Sequence, residues 1–205
     1  MKRWMALVLP LLLAAACAPI TAVSGKLALA DHGLEVDVPA GWYRIEPIGR
    51  NHLVMAGFPF EALLLDKNTE AVLLTRDGLL LQAIRVERVP VDKELPYSKR
   101  KLVVGMPVHD LAELEVDNLR SNHAAFNFEL AENQPAPVAG RPGFRLVYRW
   151  KTKEGLPLQA IHYGVFDGKT LFRVVYQAAA RHYFERDAPA FERVRESLRL
   201  TGPRA

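Results

Sequence analysis

Apolar and polar residues alternate along most of this chain with the period of a strand, and only two stretches switch to the period of a helix. From Gly33 to Val38 the apolar positions are Leu34, Val36 and Val38, with Glu35 and Asp37 between them, the signature of a strand with one face buried. Pro39-Ala40-Gly41 predicts the end of that strand before Trp42. Ala71 to Arg76 and Leu79 to Val89 are apolar-rich runs divided by Asp77-Gly78, a strong hairpin signal. Leu158 to Phe166 and Leu171 to Tyr176 repeat it around Asp167-Gly168. Two more alternating runs are Ala125 to Glu132, carrying Phe126, Phe128 and Leu130, and Gly143 to Lys151, carrying Phe144, Leu146, Tyr148 and Trp150 against Arg145 and Arg149. A Pro-rich turn over Gln134 to Pro142 is expected between them, and Lys153-Glu154-Gly155 closes the second.

The helical stretches are Val108 to Ser121, with Leu111, Leu114 and Leu119 on one side, acidic residues early and Arg120 late, and a final helix with Phe191, Val194 and Leu198. The first suits the helix dipole as well as the period, and Asp187 is the expected N-cap of the second. Hairpins interrupted by one helix and closed by another predict an α+β domain, an antiparallel β-sheet with helices packed on it. Three stretches, VDVPAGWYRI, GRPGFRLVYRW and FERVRESLRL, are similar to the opening strand, the central strand and the closing helix of PsbP-like domains. The resemblance implies a PsbP-like α/β/α sandwich over residues 33 to 200 and carries no functional residue with it, since fold does not specify function.

The N-terminus departs from this pattern. Lys2-Arg3, the apolar run Trp4 to Leu13 and Ala14-Ala15-Ala16 make a secretory signal peptide, too short in its apolar part for a membrane-spanning helix of about 20 residues. It runs straight into Cys17, and Leu13-Ala14-Ala15-Ala16-Cys17 resembles the lipobox of bacterial lipoproteins. The resemblance implies cleavage before Cys17 and lipidation of its thiol, and Ala18 in the next position implies release to the outer membrane, facing the periplasm, with the inner membrane as the alternative. Cys17 is the only cysteine, so it has no disulfide partner in the chain. The expected organisation is a signal peptide over 1–16, the lipidated cysteine and a short tether over 17–25, and a single domain over 26–205. An extended tether from Ala18 to Gly25 spans at most about 25 to 30 Å.

Among 205 residues, 50% are hydrophobic and 24% charged, the balance of a globular protein. Loss of Lys2 and Arg3 with the signal lowers the basic count from 27 to 25 against 23 acidic residues, so the charge gives no reason to expect nucleic acid. The four serines, Ser24, Ser98, Ser121 and Ser197, sit in no nucleophile elbow. Phosphate-binding glycine loops are missing, and His109 with Glu113 supplies two ligands where a zinc site needs three or four. No catalytic residue, metal or cofactor is therefore expected. Two stretches carry interaction chemistry: Tyr97 with Lys99, Arg100 and Lys101, suited to anionic headgroups or an acidic envelope polymer, and Arg181, His182 and Tyr183, suited to a protein partner. The chain reads as a membrane-anchored envelope lipoprotein of binding or assembly type, with a possible envelope protein as partner and an undefined oligomeric state. Its competitors are a carrier of lipid or another apolar ligand, suggested by Leu63-Leu64-Leu65 and Leu79-Leu80-Leu81, and a hydrolase built on converging carboxylates or histidines.

Overall fold

The structure is a computed structural model that describes residues 20–29, 33–45, 63–64, 70–91 and 93–201. These form strands β1 (Ile20–Leu29), β2 (Leu34–Ile45), β3 (Glu70–Thr75), β4 (Gln82–Pro90), β5 (Phe126–Val138), β6 (Arg141–Lys151), β7 (Pro157–Asp167), β8 (Thr170–Ala179) and β9 (Arg199–Leu200), with helices α1 (Val108–Arg120) and α2 (Tyr183–Ser197). The sheet order is β1-β2-β3-β4-β8-β7-β6-β5, and β9 adds to β2. Every pairing is antiparallel. Two meanders thus meet at the β4–β8 seam, in register from Gln82 opposite Ala178 to Pro90 opposite Thr170.

Strand β8 shows how the layers are built. Its residues Phe172, Val174, Tyr176 and Ala178 join a core with Phe184, Phe191 and Val194 of α2. The alternate residues Leu171, Val175 and Ala179 join a second core with Leu111, Leu114 and Leu119 of α1. A strand covered on both faces reads as a continuous apolar run, and from Leu171 to Ala179 every residue of β8 is buried. The architecture is the expected antiparallel sheet with helices packed on it, with the sheet far larger than its two helical layers.

Both glycine-marked hairpins form, β3–β4 and β7–β8. In the second, Asp167 pairs with Thr170, and Gly168 takes φ 57°, the left-handed first position of a tight hairpin turn. Four boundaries differ from the sequence reading. The tether is one: residues Ile20 to Gly25 belong to β1, and Ala22 and Val23 pair with Tyr43 and Trp42. Cys17, Ala18 and Pro19 lie outside the described residues. Pro39-Ala40-Gly41 does not end β2, because these residues bulge out between the pairs Gly25–Val38 and Val23–Trp42, with Gly41 at φ 84°. The Pro-rich segment is strand rather than turn: β5 runs through Pro135 and Pro137 to Val138. It tolerates them because it is the outer strand, where a missing N–H breaks no ladder. Finally, α2 begins at Tyr183, and Asp187 spends its carboxylate on Arg76 and Arg186 instead of capping a helix.

Gly164 shows how closely the second core is filled. It pairs with Phe144, and a Cβ placed on it would overlap the fully buried Phe144 ring. Gly164→Ala should lower unfolding free energy by about 1–3 kcal/mol, the usual cost of overpacking. Phe144→Leu in the same chain should recover part of that loss, which urea denaturation of the single and double variants measures.

Candidate functional site

The polar chemistry inside the protein lies under α1. Its inward stripe is Leu111, Ala112, Leu114, Glu115, Val116, Asn118 and Leu119, so a carboxylate sits mid-stripe among leucines at helical spacing. Directly beneath, the sheet presents Arg85 and Glu87 from β4, Arg173 from β8, His162 from β7 and Tyr148 from β6. The register makes Glu87 and Arg173 cross-strand neighbours and sets His162 beside Val175. All six polar residues are buried.

Arg173 holds the group together. One guanidinium nitrogen donates to Glu115 Oε1 at 2.6 Å and another to Glu87 Oε2 at 3.3 Å. Arg85 Nε stands 3.1 Å from Glu87 Oε1, yet neither of these two atoms completes a hydrogen bond, so that contact is coulombic. Burial pushes the Glu115 carboxyl above its ordinary value, and the Arg173 guanidinium pulls it back down. Burial also holds the His162 imidazole well below 6.5, reinforced by the positive charges of Arg173 and Arg85, so the ring is neutral. The Tyr148 hydroxyl is raised by the same burial and stays protonated.

The residues leave a cavity of about 20 Å³, lined by Arg85, Glu87, Glu115, Tyr148, His162 and Arg173 together with Leu64, Pro96, Tyr97 and Asn118. That is space for one water-sized molecule. Two carboxylates and a histidine do converge here, the feature sought for a hydrolase, and both carboxylates are tied to guanidinium groups. This polar cavity does not suit an apolar cargo. Leu63 and Leu79, from the stretches that suggested one, pack with Ile45, Leu73 and Ala83 in a small third core, and Leu65 lies outside the described residues. Among the described residues no three of His, Cys, Asp or Glu are grouped as metal ligands. His109 is exposed beside Asp110 at 2.9 Å.

The residues marked for interaction fall in two places. Tyr97 to Lys101 lie on a strap laid along α1. The backbone N–H groups of Tyr97 and Ser98 both donate to Asn118 Oδ1, at 3.1 and 3.2 Å, and Arg100 pairs with Asp117 at 2.6 Å. Tyr97 is half-buried and meets the His123 ring edge-on at 6.0 Å, while Lys99 and Lys101 are exposed. Arg181 and His182 are exposed at the β8–α2 junction, with His182 at φ 67°. Tyr183 is half-buried, packed between the two cores, with the Arg186 guanidinium 4.9 Å from its ring centre. Sequence reasoning missed the charged cluster under α1, since Arg85, Glu87 and Arg173 occupy alternate strand positions that a sheet with one wet face would turn to solvent.

Solved structures share this fold. The cyanobacterial PsbP protein CyanoP from Synechocystis sp. PCC 6803 matches with a TM-score of 0.54 at 13% identity, over 91% of this chain and 95% of that one. This chain has a PsbP/Mog1-like fold. The Saccharomyces cerevisiae Ran-binding protein Mog1p matches at 0.52 and 9% identity, over 88% and 97% of the two chains. LpqN of Mycobacterium tuberculosis, involved in cell envelope biogenesis, matches at 0.51 and 11% identity, over 89% and 92%. No protein-family profile matches the sequence, and no curated protein does. At such identities the PsbP/Mog1-like fold is shared without any residue's role.

His162 gives the cluster a pH signature. A histidine held neutral in the folded state takes up a proton only on unfolding, so its contribution to stability is present above 6.5 and is lost as pH falls below it. The wild type should therefore lose stability from pH 6.5 downward more steeply than His162→Gln, with chemical denaturation across pH 4.5 to 7.5 as the measurement. Removing one partner of the ion network, as in Glu115→Ala, should cost about 3–5 kcal/mol at pH 7, because Arg173 cannot shed its charge.

Proposed function

We propose that this protein is a bacterial envelope lipoprotein, held at the membrane through Cys17, whose PsbP/Mog1-like domain binds an envelope protein partner in assembly or maintenance and carries out no reaction of its own. The signal-like N-terminus ending in Leu13-Ala14-Ala15-Ala16-Cys17 supports the anchor. LpqN, of the same fold, is involved in cell envelope biogenesis, and Mog1p is Ran-binding, which supports a fold used for binding. No helix among the described residues is long and apolar enough to cross a membrane.

The observation that carries the binding reading is the composition of one end of the sheet. Phe126 pairs with Lys151, Lys151 pairs with Pro157, and the Pro157 carbonyl accepts the Ala180 N–H at 3.0 Å. This row collects Phe126, 47% exposed, and Leu156, 36% exposed, with exposed Lys151, Lys153, Arg181 and His182. The three cations there have no ion-pair partner among the described residues, whereas Arg76, Arg100, Arg141, Arg145, Arg186 and Arg195 are all paired. A phenylalanine and a leucine set among these cations suit an acidic protein surface, with Glu154 as the anion of the turn. The chain of β1 leads away from this end toward Ile20, since Gly25 pairs near the β2 bulge and Ile20 lies further along, opposite Ile45.

Two measurements separate the parts of this proposal. Cys17→Ser should move the protein from the membrane to the soluble fraction, and a variant that stays membrane-bound removes the anchor. In anchored protein, Lys153→Glu with Arg181→Glu should reduce cross-linked partner recovered from intact envelopes at least about tenfold, while these exposed changes shift stability by no more than about 0.5 kcal/mol. Undiminished cross-linking would overturn the assignment of the row.

A further inference from the structure

We propose that the cavity under α1 is a binding site for one internal water molecule, held by Tyr148, His162 and Arg173 and closed off by the strap over α1. The side chains that face it are incomplete without a guest. The Tyr148 hydroxyl, both His162 ring nitrogens and Arg173 Nε are buried with no hydrogen-bond partner, and Tyr148, His162 and Arg173 all line the same cavity. Tyr148 is 0% exposed, His162 2% and Arg173 6%. Buried polar groups of this kind are nearly always satisfied, and rotation toward bulk solvent is closed to residues so deeply packed.

The dimensions and chemistry choose the guest. A volume of about 20 Å³ holds one water, which needs two to four polar partners. Arg173 Nε–H is a donor only, the neutral imidazole offers one donor and one acceptor, and the tyrosine hydroxyl does both. One water can accept from Arg173 Nε–H and donate to the unprotonated imidazole nitrogen, whereas a halide, which only accepts, offers that nitrogen nothing. Charge gives a halide no advantage either, since Arg85 and Arg173 are balanced by Glu87 and Glu115. Pro96 and Tyr97 also line the cavity, and the strap that carries them is tied to α1 by Asn118, whose Oδ1 accepts both the Tyr97 and the Ser98 N–H. In this proposal the water exchanges with solvent past that strap.

The full chain, crystallised to high resolution and studied in solution by oxygen-17 relaxation dispersion, tests this directly. The expected result is one density peak within about 3 Å of the Tyr148 hydroxyl and a His162 nitrogen, and one long-lived water in solution. That long-lived water should be lost in His162→Leu and, as a milder substitution, in Tyr148→Phe. Asn118→Ala should shorten its residence time about tenfold by removing the hydrogen bonds that hold the strap. A dry cavity, or a peak that acquires anomalous signal after bromide soaking, would overturn the water site; an unchanged residence time in Asn118→Ala would overturn the strap as its gate.

Discussion

Everything near the centre of this protein is arranged around a charge that cannot be removed. A guanidinium keeps its proton at any pH a cell meets, so placing Arg173 in the interior obliges the fold to bring it anions. One arrives through sheet register, because Glu87 is its cross-strand neighbour. The other comes from another layer, because Glu115 reaches down from α1 to within 2.6 Å. The contact fixes which way α1 is turned, as only a rotation that aims Glu115 inward also buries Leu111, Leu114 and Leu119. Buried ion pairs add little net stability compared with apolar packing, yet they penalise every arrangement that leaves one partner alone. Here the penalty falls on any sliding or rolling of the helix over the sheet.

The same kind of tie recurs under the other helix. Asp187, buried within α2, takes the Arg76 guanidinium at 3.2 Å and accepts from Gln82 Nε2 at 3.3 Å, while Arg186 reaches Asp77 in the β3–β4 turn. Each helical layer is thus pinned to the sheet by a carboxylate of its own. CyanoP, Mog1p and LpqN keep the sheet and helices at 9 to 13% identity; what such distant sequences have in common is the layer arrangement, which many different side chains can fill.

Periodicity in the sequence announced the strands and helices, and Asp-Gly or its neighbours announced two hairpins, because these features depend on residues close together in the chain. What it did not announce depends on neighbours far away. Pro135 and Pro137 read as a turn until β5 is known to be an outer strand, and Pro39-Ala40-Gly41 reads as a stop until β1 is seen to continue on both sides of the bulge. Arg85, Glu87 and Arg173 read as solvent-facing until α1 is placed over them. Asp187 illustrates a different confusion, since an aspartate two residues before a proline looks like a helix start although its partners lie 111 and 105 residues away, in Arg76 and Gln82. Of the residues proposed for interaction at that end of the sheet, sequence supplied Arg181 and His182; Phe126, Lys151 and Leu156 joined them only once strand register was known.

The replacement of a loose tether by strand has a mechanical side. Strand β1 begins at Ile20 and is paired with β2 as far as Leu29. Tension applied at Ile20 along the strand axis would load the β1–β2 hydrogen bonds together, in shear, instead of opening them one after another.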